Sequence, residues 1–377
     1  MREVWITDAG MVTAAGDSLE ATWQTIMTGR TAIRKIDRFP VKAYRSELGA
    51  SVSGIEPSEA ASLIHNIMEL LLCQIDYVPA DSLLITASTK AGIDNLEKIK
   101  QGIAADPLDI LPASMSDWVA EKLGLRGDSI SINAACASST AAVAQGAKLI
   151  SSGAAESAVI CCLDLITEFV FSGFSALQVL SPFPCRPFDR DRAGLSVGEG
   201  AAFITLMSAE QAKRFGCPQR GIIAGVGLSN DARHITAPDR NGAGLIRAVT
   251  GALKTAGVER SEIAGISAHG TGTIHNDLME LTAFQAVFEK YCPPIYSVKG
   301  CIGHTFGAAG GIEIALGTRI LTEQTLPPTA GFVNPERGAE GLVSADSVPI
   351  KGDYLLATNS GFGGINAAII LKKGGVS

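Results

Sequence analysis

Charge is scarce in this sequence. Asp, Glu, Lys and Arg make up 18% of its 377 residues, where a globular domain usually carries about 25%. The charge present leans negative, with a net of −7, which argues against non-specific nucleic-acid binding while leaving room for a local basic patch. No apolar run approaches the roughly 18 residues of a membrane helix. The start, Met1-Arg2-Glu3-Val4-Trp5-Ile6-Thr7-Asp8, lacks the apolar stretch of a secretory signal. The eight cysteines form no CxxC pair. That speaks against a structural zinc site and for a reduced, cytoplasmic setting. Histidines number five, at 65, 234, 269, 275 and 304.

Small and apolar residues fill the space that charge leaves. Hydrophobic residues make up 46% and glycines number 41, so a subunit interface is expected besides the core. The length suits about two domains, or two fused halves sharing one core. The order of elements favours fused halves, 1–215 and 216–377, with the seam at Lys213 to Gln219. In the first half, Val4 to Thr7 reads as a strand, Ala9 to Val12 as the turn out of it, and Leu19 to Met27 as a helix. Pro57 to Leu72 reads as a helix with Glu59 in its first turn, and Leu83 to Ala87 as a buried strand. Asp117 to Leu123 is a short helix capped by Ser116. Ser129 to Ile132 and Ser157 to Leu163 are buried strands, the latter with Cys161 and Cys162 as core residues. The second half restarts with a strand at Ile222 to Leu228 and a helix at Ala243 to Ala256. Gly225-Val226-Gly227 is no dinucleotide loop, because the third glycine is missing and no helix follows. Ile295 to Val298, a glycine-rich turn and a helix from Ala308 to Leu321 repeat the strand, turn and helix around residue 136. The halves end on matching strands, Ala201 to Leu206 and Ala367 to Leu371.

The chemistry is expected at three turns. Asn133-Ala134-Ala135-Cys136-Ala137-Ser138-Ser139-Thr140 puts a cysteine between a strand and a helix N-terminus. Its hydroxyls suit helix capping, and the helix end favours a thiolate. His269 lies in His269-Gly270-Thr271-Gly272-Thr273, and His304 in the glycine-rich run from Lys299 to Gly310. Turns at strand ends are where an α/β fold exposes functional groups. A thiolate that accepts an acyl group, with two imidazoles that donate to a second thioester carbonyl, suits thioester condensation. Lys299 and Glu313 are expected to pair and set the state of His304. Asp277 and Glu280 are expected to anchor the His269 loop. His275 reads as a surface residue, His65 as a core or interface one. His269 and His275 lack metal-binding spacing and a third ligand.

These motifs resemble the β-ketoacyl-acyl carrier protein synthases of the thiolase superfamily, in the elongating Cys-His-His branch. Pro187-Phe188-Asp189, Gly198-Glu199-Gly200-Ala201 and Asn359-Ser360-Gly361-Phe362-Gly363-Gly364-Ile365-Asn366 complete the likeness. The resemblance implies an α/β, five-layer αβαβα fold of two pseudo-symmetric halves, usually a homodimer, with a heterodimer of related subunits as the variant. It implies transfer of an acyl chain from carrier-protein phosphopantetheine to Cys136, then decarboxylative condensation with malonyl-carrier protein, in fatty-acid or specialised polyketide or polyene-type biosynthesis. It implies no metal or organic cofactor. The backbone N–H groups of Cys136 and Phe362 would form the oxyanion hole, with Phe362 as gate and Thr236, Thr271 and Thr273 near the pantetheine. A non-catalytic chain-length partner, the alternative within the fold, would lack the nucleophile. Two departures stand out. The last motif is one residue short, with Ile365 for the usual threonine, and the region from 50 to 90 is shortened and carries no Lys or Arg between Glu56 and Lys90. The basic helix that many relatives use for docking is therefore absent, and Arg192, with Arg190, Lys213 or Arg214, is expected to dock the acidic carrier protein.

Overall fold

Neighbouring apolar residues explain the sheets. In Leu84-Ile85, Val159-Ile160, Leu355-Leu356 and Ile369-Ile370 both members are buried, yet each joins a different hydrophobic cluster. Successive side chains of a strand point to opposite faces, so such pairs mark strands covered on both sides. The computed structural model describes residues 2–55 and 61–375. The first half supplies β1 (Val4–Thr13), β2 (Leu83–Ala87), β3 (Ser129–Ile132), β4 (Ser157–Asp164) and β5 (Gly200–Ser208). The second supplies β6 (Gly221–Asn230), β7 (Ile263–Ser267), β8 (Ile295–Tyr296), β9 (Tyr354–Gly361) and β10 (Ile365–Lys373).

The strands hydrogen-bond in the order β8-β7-β9-β10-β6-β1-β5-β4-β2-β3. Outward from the centre, each half runs first, fifth, fourth, second, third. The directions match as well: among the first three strands neighbours run antiparallel, and the last three run parallel, in both halves. The halves join through two residue pairs, Trp5 with Ile222 and Ile6 with Gly221.

The helices are α1 (Leu19–Met27), α2 (Leu63–Leu72), α3 (Ile93–Lys100), α4 (Pro112–Leu123), α5 (Ser138–Ser151), α6 (Glu168–Ala176), α7 (Ala209–Phe215), α8 (Ala243–Ala256), α9 (Ile274–Phe288), α10 (Lys299–Ile302) and α11 (Ala309–Glu323). Helices α2 and α4 cover the outer face of the first set of strands, and α8 with α9 the outer face of the second. Between the two sets lie α5 and α11, each following the third strand of its half. The layers are therefore α, β, α, β, α. Helix α7 stands at the expected seam.

Several expected boundaries move. The supposed turn at Ala9 to Val12 is strand, because β5 pairs along all of β1, from Val4–Ser208 to Thr13–Gly200. The helix expected from Pro57 begins at Leu63; Pro57 and Glu59 lie outside the described residues. Ser62 caps it, and Asp94 and Asp109 bind the Ser62 hydroxyl and N–H. Helix α4 starts at Pro112, so Ser116 lies inside it and bonds Ser131 at 2.8 Å instead of capping. Strand β3, expected to be buried, is a sheet edge with Ser129 and Ser131 exposed. Its outer hydrogen-bonding row has no partner among the described residues.

Candidate active site

The cysteine turn is braced before it is reactive. Ala135 has φ 50°, a left-handed conformation that a non-glycine residue keeps only when its surroundings impose it. The hydroxyls expected to cap α5 act otherwise. Ser138 Oγ accepts from Ala134 N at 2.9 Å and donates to Ala135 O at 2.5 Å, holding the turn. Ser139 Oγ accepts from Gly311 N at 2.9 Å, so it serves the first turn of α11. Thr140 Oγ1 donates to Asn359 Oδ1. The two central helices approach closely because residue 310 is glycine: a Cβ there would lie 1.9 Å from Thr140 Oγ1. That approach brings the two halves' equivalent turns together.

His304 is hooked to the first half by two backbone bonds, His304 N to Ser196 O at 2.8 Å and Gly198 N to His304 O at 2.9 Å. Its Nε2 then lies 3.0 Å from Cys136 Sγ. The His269 ring stands 5.1 Å from that of His304, at 86°. The sulfur and ring nitrogens of the three lie within 4.8 Å of one another. No other cluster of histidine, cysteine and acidic side chains is close enough to share an ion among the described residues.

Asn359 orients this group, a part that sequence reading left without a role. Its oxygen takes the Thr140 hydroxyl, so its nitrogen donates, to Glu313 Oε2 at 2.8 Å and to His269 Nδ1 at 3.2 Å. His269 Nδ1 is thereby an acceptor, and its Nε2 carries the proton into the site. Burial first, then the Lys299 charge, holds both imidazoles well below the usual histidine pKa, and Lys90 adds to this at His304. Both rings are therefore neutral near pH 7.

Lys299 and Glu313 do pair, at 2.5 Å, with both side chains 1% exposed. Removing one member of a buried pair strands the other charge. Lys299→Met is expected to destabilise the fold by about 3 kcal/mol. Glu313, already pushed up by burial, would then take up a proton, so the loss should shrink as pH falls. Denaturant unfolding at two pH values measures both effects.

The thiol departs from the expected thiolate. Burial pushes Cys136 up to about 11, against the lowering effects of Lys90, Lys299 and the Phe362 N–H. The Phe362 backbone N–H favours the thiolate form. Gly361 permits this: a Cβ there would lie 2.9 Å from Ala134 O and 3.1 Å from Cys136 N, in the space an oxyanion needs beside the Cys136 N–H.

A cavity of about 440 Å³ leads to these groups. Thr236, Thr271, Thr273, Phe174 and Phe362 line it, as does His275, which is exposed as expected. Phe362 stacks on Phe174 at 5.9 Å. The loop below is held by carboxylates, as expected: Glu280 accepts from His269 N and Gly270 N at 2.8 and 2.6 Å, and Asp277 from Thr271 N at 3.1 Å. Asp277 also accepts from Phe188 N at 2.8 Å, which ties the Pro187-Phe188-Asp189 motif to the same loop. His65 is half-buried, with Nε2 2.7 Å from Asp109.

Arg192 does not face solvent. Its side chain is 1% exposed, bonded to Glu336 at 2.6 Å and to the carbonyls of Asp189, Thr273 and Ile274. It fastens the cavity loop from inside and cannot serve as the free docking charge expected of it. Arg190, Lys213 and Arg214 are exposed, the last two on α7, and none of the three lines the cavity.

The comparisons agree with this geometry. The family model described as the beta-ketoacyl synthase N-terminal domain matches residues 84–212, and that of the C-terminal domain residues 220–333. The 3-oxoacyl-[acyl-carrier-protein] synthase 2 of Vibrio cholerae is 28% identical, over 99% of each chain. Among solved structures, the ishigamide ketosynthase/chain length factor superposes with a TM-score of 0.91 at 28% identity, over 99% of this chain and 100% of that one. A ketosynthase in complex with its chain length factor from Xenorhabdus doucetiae gives 0.86 at 27% identity, over 99% and 98%. With a cysteine and two histidines assembled where the two halves' turns converge, and both domain models matched in order, the chain belongs to the β-ketoacyl synthase family.

Proposed function

We propose that this protein is a β-ketoacyl-carrier-protein synthase that extends a thioester-bound acyl chain by decarboxylative condensation. The observation that carries the reading is the 3.0 Å approach of His304 Nε2 to Cys136 Sγ, with His269 beside them at the end of the cavity. The acyl thioester of a phosphopantetheine arm enters past Thr236, Thr271 and Thr273. Cys136 attacks its carbonyl, the N–H groups of Cys136 and Phe362 hold the oxyanion, and the pantetheine thiol leaves. A malonyl thioester then takes its place. Its carboxylate departs as CO2, and the enolate is held by hydrogen bonds from His269 and His304. The enolate carbon attacks the acyl-cysteine, the new C–C bond forms, the C–S bond breaks, and the released Cys136 sulfur takes up a proton from water to return to the thiol.

The reading includes no metal or organic cofactor. Its partner is an acidic carrier protein, docked by exposed cations at the cavity mouth. Arg233 and Arg240 flank the cavity residues Thr236 and Pro238 in the chain and are exposed, Arg233 while pairing with Asp239 at 3.1 Å, so they replace Arg192 in that role, with Arg190 further out. The open edge of β3 suits a second subunit of the same fold, identical or related. No helix among the described residues is long and apolar enough to cross a membrane, in keeping with a cytoplasmic enzyme.

The test is incubation with a panel of acyl-carrier proteins and malonyl-carrier protein, read by mass spectrometry. An acyl adduct on Cys136 and a β-ketoacyl carrier product are expected, unchanged by a metal chelator. Absence of any adduct, or loss of product on chelation with recovery on adding zinc, would overturn the reading. The same assay should weaken with salt, and Arg233→Glu should raise KM for carrier-bound substrate without slowing a small pantetheine thioester.

A further inference from the structure

Lys90 is the first cation after a long stretch without one, and two rings, Phe306 and His304, connect it to the nucleophile. It follows β2 and is half-buried. Its Nζ donates to Thr89 Oγ1 at 2.7 Å, and that hydroxyl donates to the buried Asp164 at 2.8 Å. The ammonium sits 5.0 Å from the centre of the Phe306 ring. Phe306 is fully buried and lies 5.3 Å from the His304 ring, whose Nε2 meets Cys136. Lys90 forms no ion pair with a carboxylate among the described residues.

The other charges near Cys136 are spoken for. Lys299 is matched by Glu313 at 2.5 Å. Asp164 accepts from Ser88, Thr89 and Gly307 N, and its negative charge opposes ionisation of the thiol. His269 and His304 are neutral. Among the charges that oppose the effect of burial on the thiol, Lys90 ranks first. A cation close to a buried thiol stabilises the thiolate in a low-dielectric setting, and the Phe306 face keeps it in place at little desolvation cost.

We propose that Lys90, clasped between Thr89 and the Phe306 ring, is a positioning residue that activates Cys136 for acyl transfer by its charge alone. It touches neither the sulfur nor the incoming thioester. The hydroxyl of Thr89 fixes its distance, and Asp164 fixes Thr89.

This rests on Cys136 as the nucleophile, but its test does not require condensation. The full-length protein, with any subunit that co-purifies, is treated with iodoacetamide across a pH series. Alkylation is read at the Cys136 peptide by mass spectrometry, which separates it from the other seven cysteines. Lys90→Met keeps the stem and removes the charge. Its Cys136 profile is expected to move up by about one pH unit, so that alkylation near neutral pH falls about tenfold. Lys90→Gln should match it, and Lys90→Arg should restore the rate to within about twofold of wild type. A Lys90→Met profile that superimposes on wild type would overturn the proposal. So would Lys90→Arg reacting as slowly as Lys90→Met, since that would make shape rather than charge the determinant. Failure of condensation with a normal shift in the Lys90 variants would count against the proposed function and leave this inference standing.

Discussion

Cys136→Ala is expected to lower condensation by a factor on the order of 10⁴ or more while leaving the protein folded. Cys136 is the one thiol among the described residues that line the cavity, so the loss falls on the whole reaction. The fold should lose only about 1 kcal/mol, because the turn is held by Ser138, the Gly310 crossing and the Ser139–Gly311 bond rather than by the thiol. Decarboxylation of malonyl-carrier protein should persist in this variant, since both imidazoles remain. Its pH dependence follows from their state. Both rings are held well below the usual 6.5, so they stay neutral until pH falls well under that value. The rate in Cys136→Ala is expected to be flat from neutral pH down through 6.5 and to decline only in more acidic buffer. CO2 release measured over a pH series checks this. A midpoint at the ordinary histidine value would mean that the site admits more water than its burial implies. Retained β-ketoacyl product would move the nucleophile elsewhere.

His304→Ala should separate the two half-reactions. It removes a hydrogen-bond donor to the forming enolate, and loss of one such donor costs about 10²–10³-fold. Carbon–carbon bond formation should fall by at least that much. Acylation of Cys136 should slow but stay measurable, because the Phe362 N–H and the Lys90 charge still favour the thiolate. The 3.0 Å bond from His304 to the sulfur is the reason for the slowing. His304→Asn returns a donor of different reach and should recover part of the decarboxylation. Single-turnover acylation followed by mass spectrometry, beside CO2 release, distinguishes the outcomes. Equal collapse of both would show that His304 serves chiefly as the base for Cys136.

The cysteine, the two histidines and the duplication around them are legible in the residue order. Reactive side chains are rare in this chain, and three of them, Cys136, His269 and His304, stand in glycine- and threonine-rich turns after apolar strands. Local pattern reveals such turns because backbone geometry there demands particular small residues. The ion pair of Lys299 with Glu313 and the anchoring by Asp277 and Glu280 were legible for the same reason: a buried charge needs a partner, and the candidates were few. What depends on residues far apart in the chain is set by the fold. The run of β1 through Ala9 to Val12 is imposed by its long pairing with β5, which no local propensity records. The hydroxyls of Ser139 and Thr140 serve α11 and Asn359 because two helices from different halves cross at Gly310. Arg192 and Lys90 are alike as cations in a sequence, yet one is bound inside by Glu336 and three carbonyls and the other, with no direct ion pair among the described residues, sits on Thr89 and the Phe306 ring. Burial and counter-charge are properties of the folded surroundings, and they fix whether a charge docks a partner, ties a loop or tunes a nucleophile.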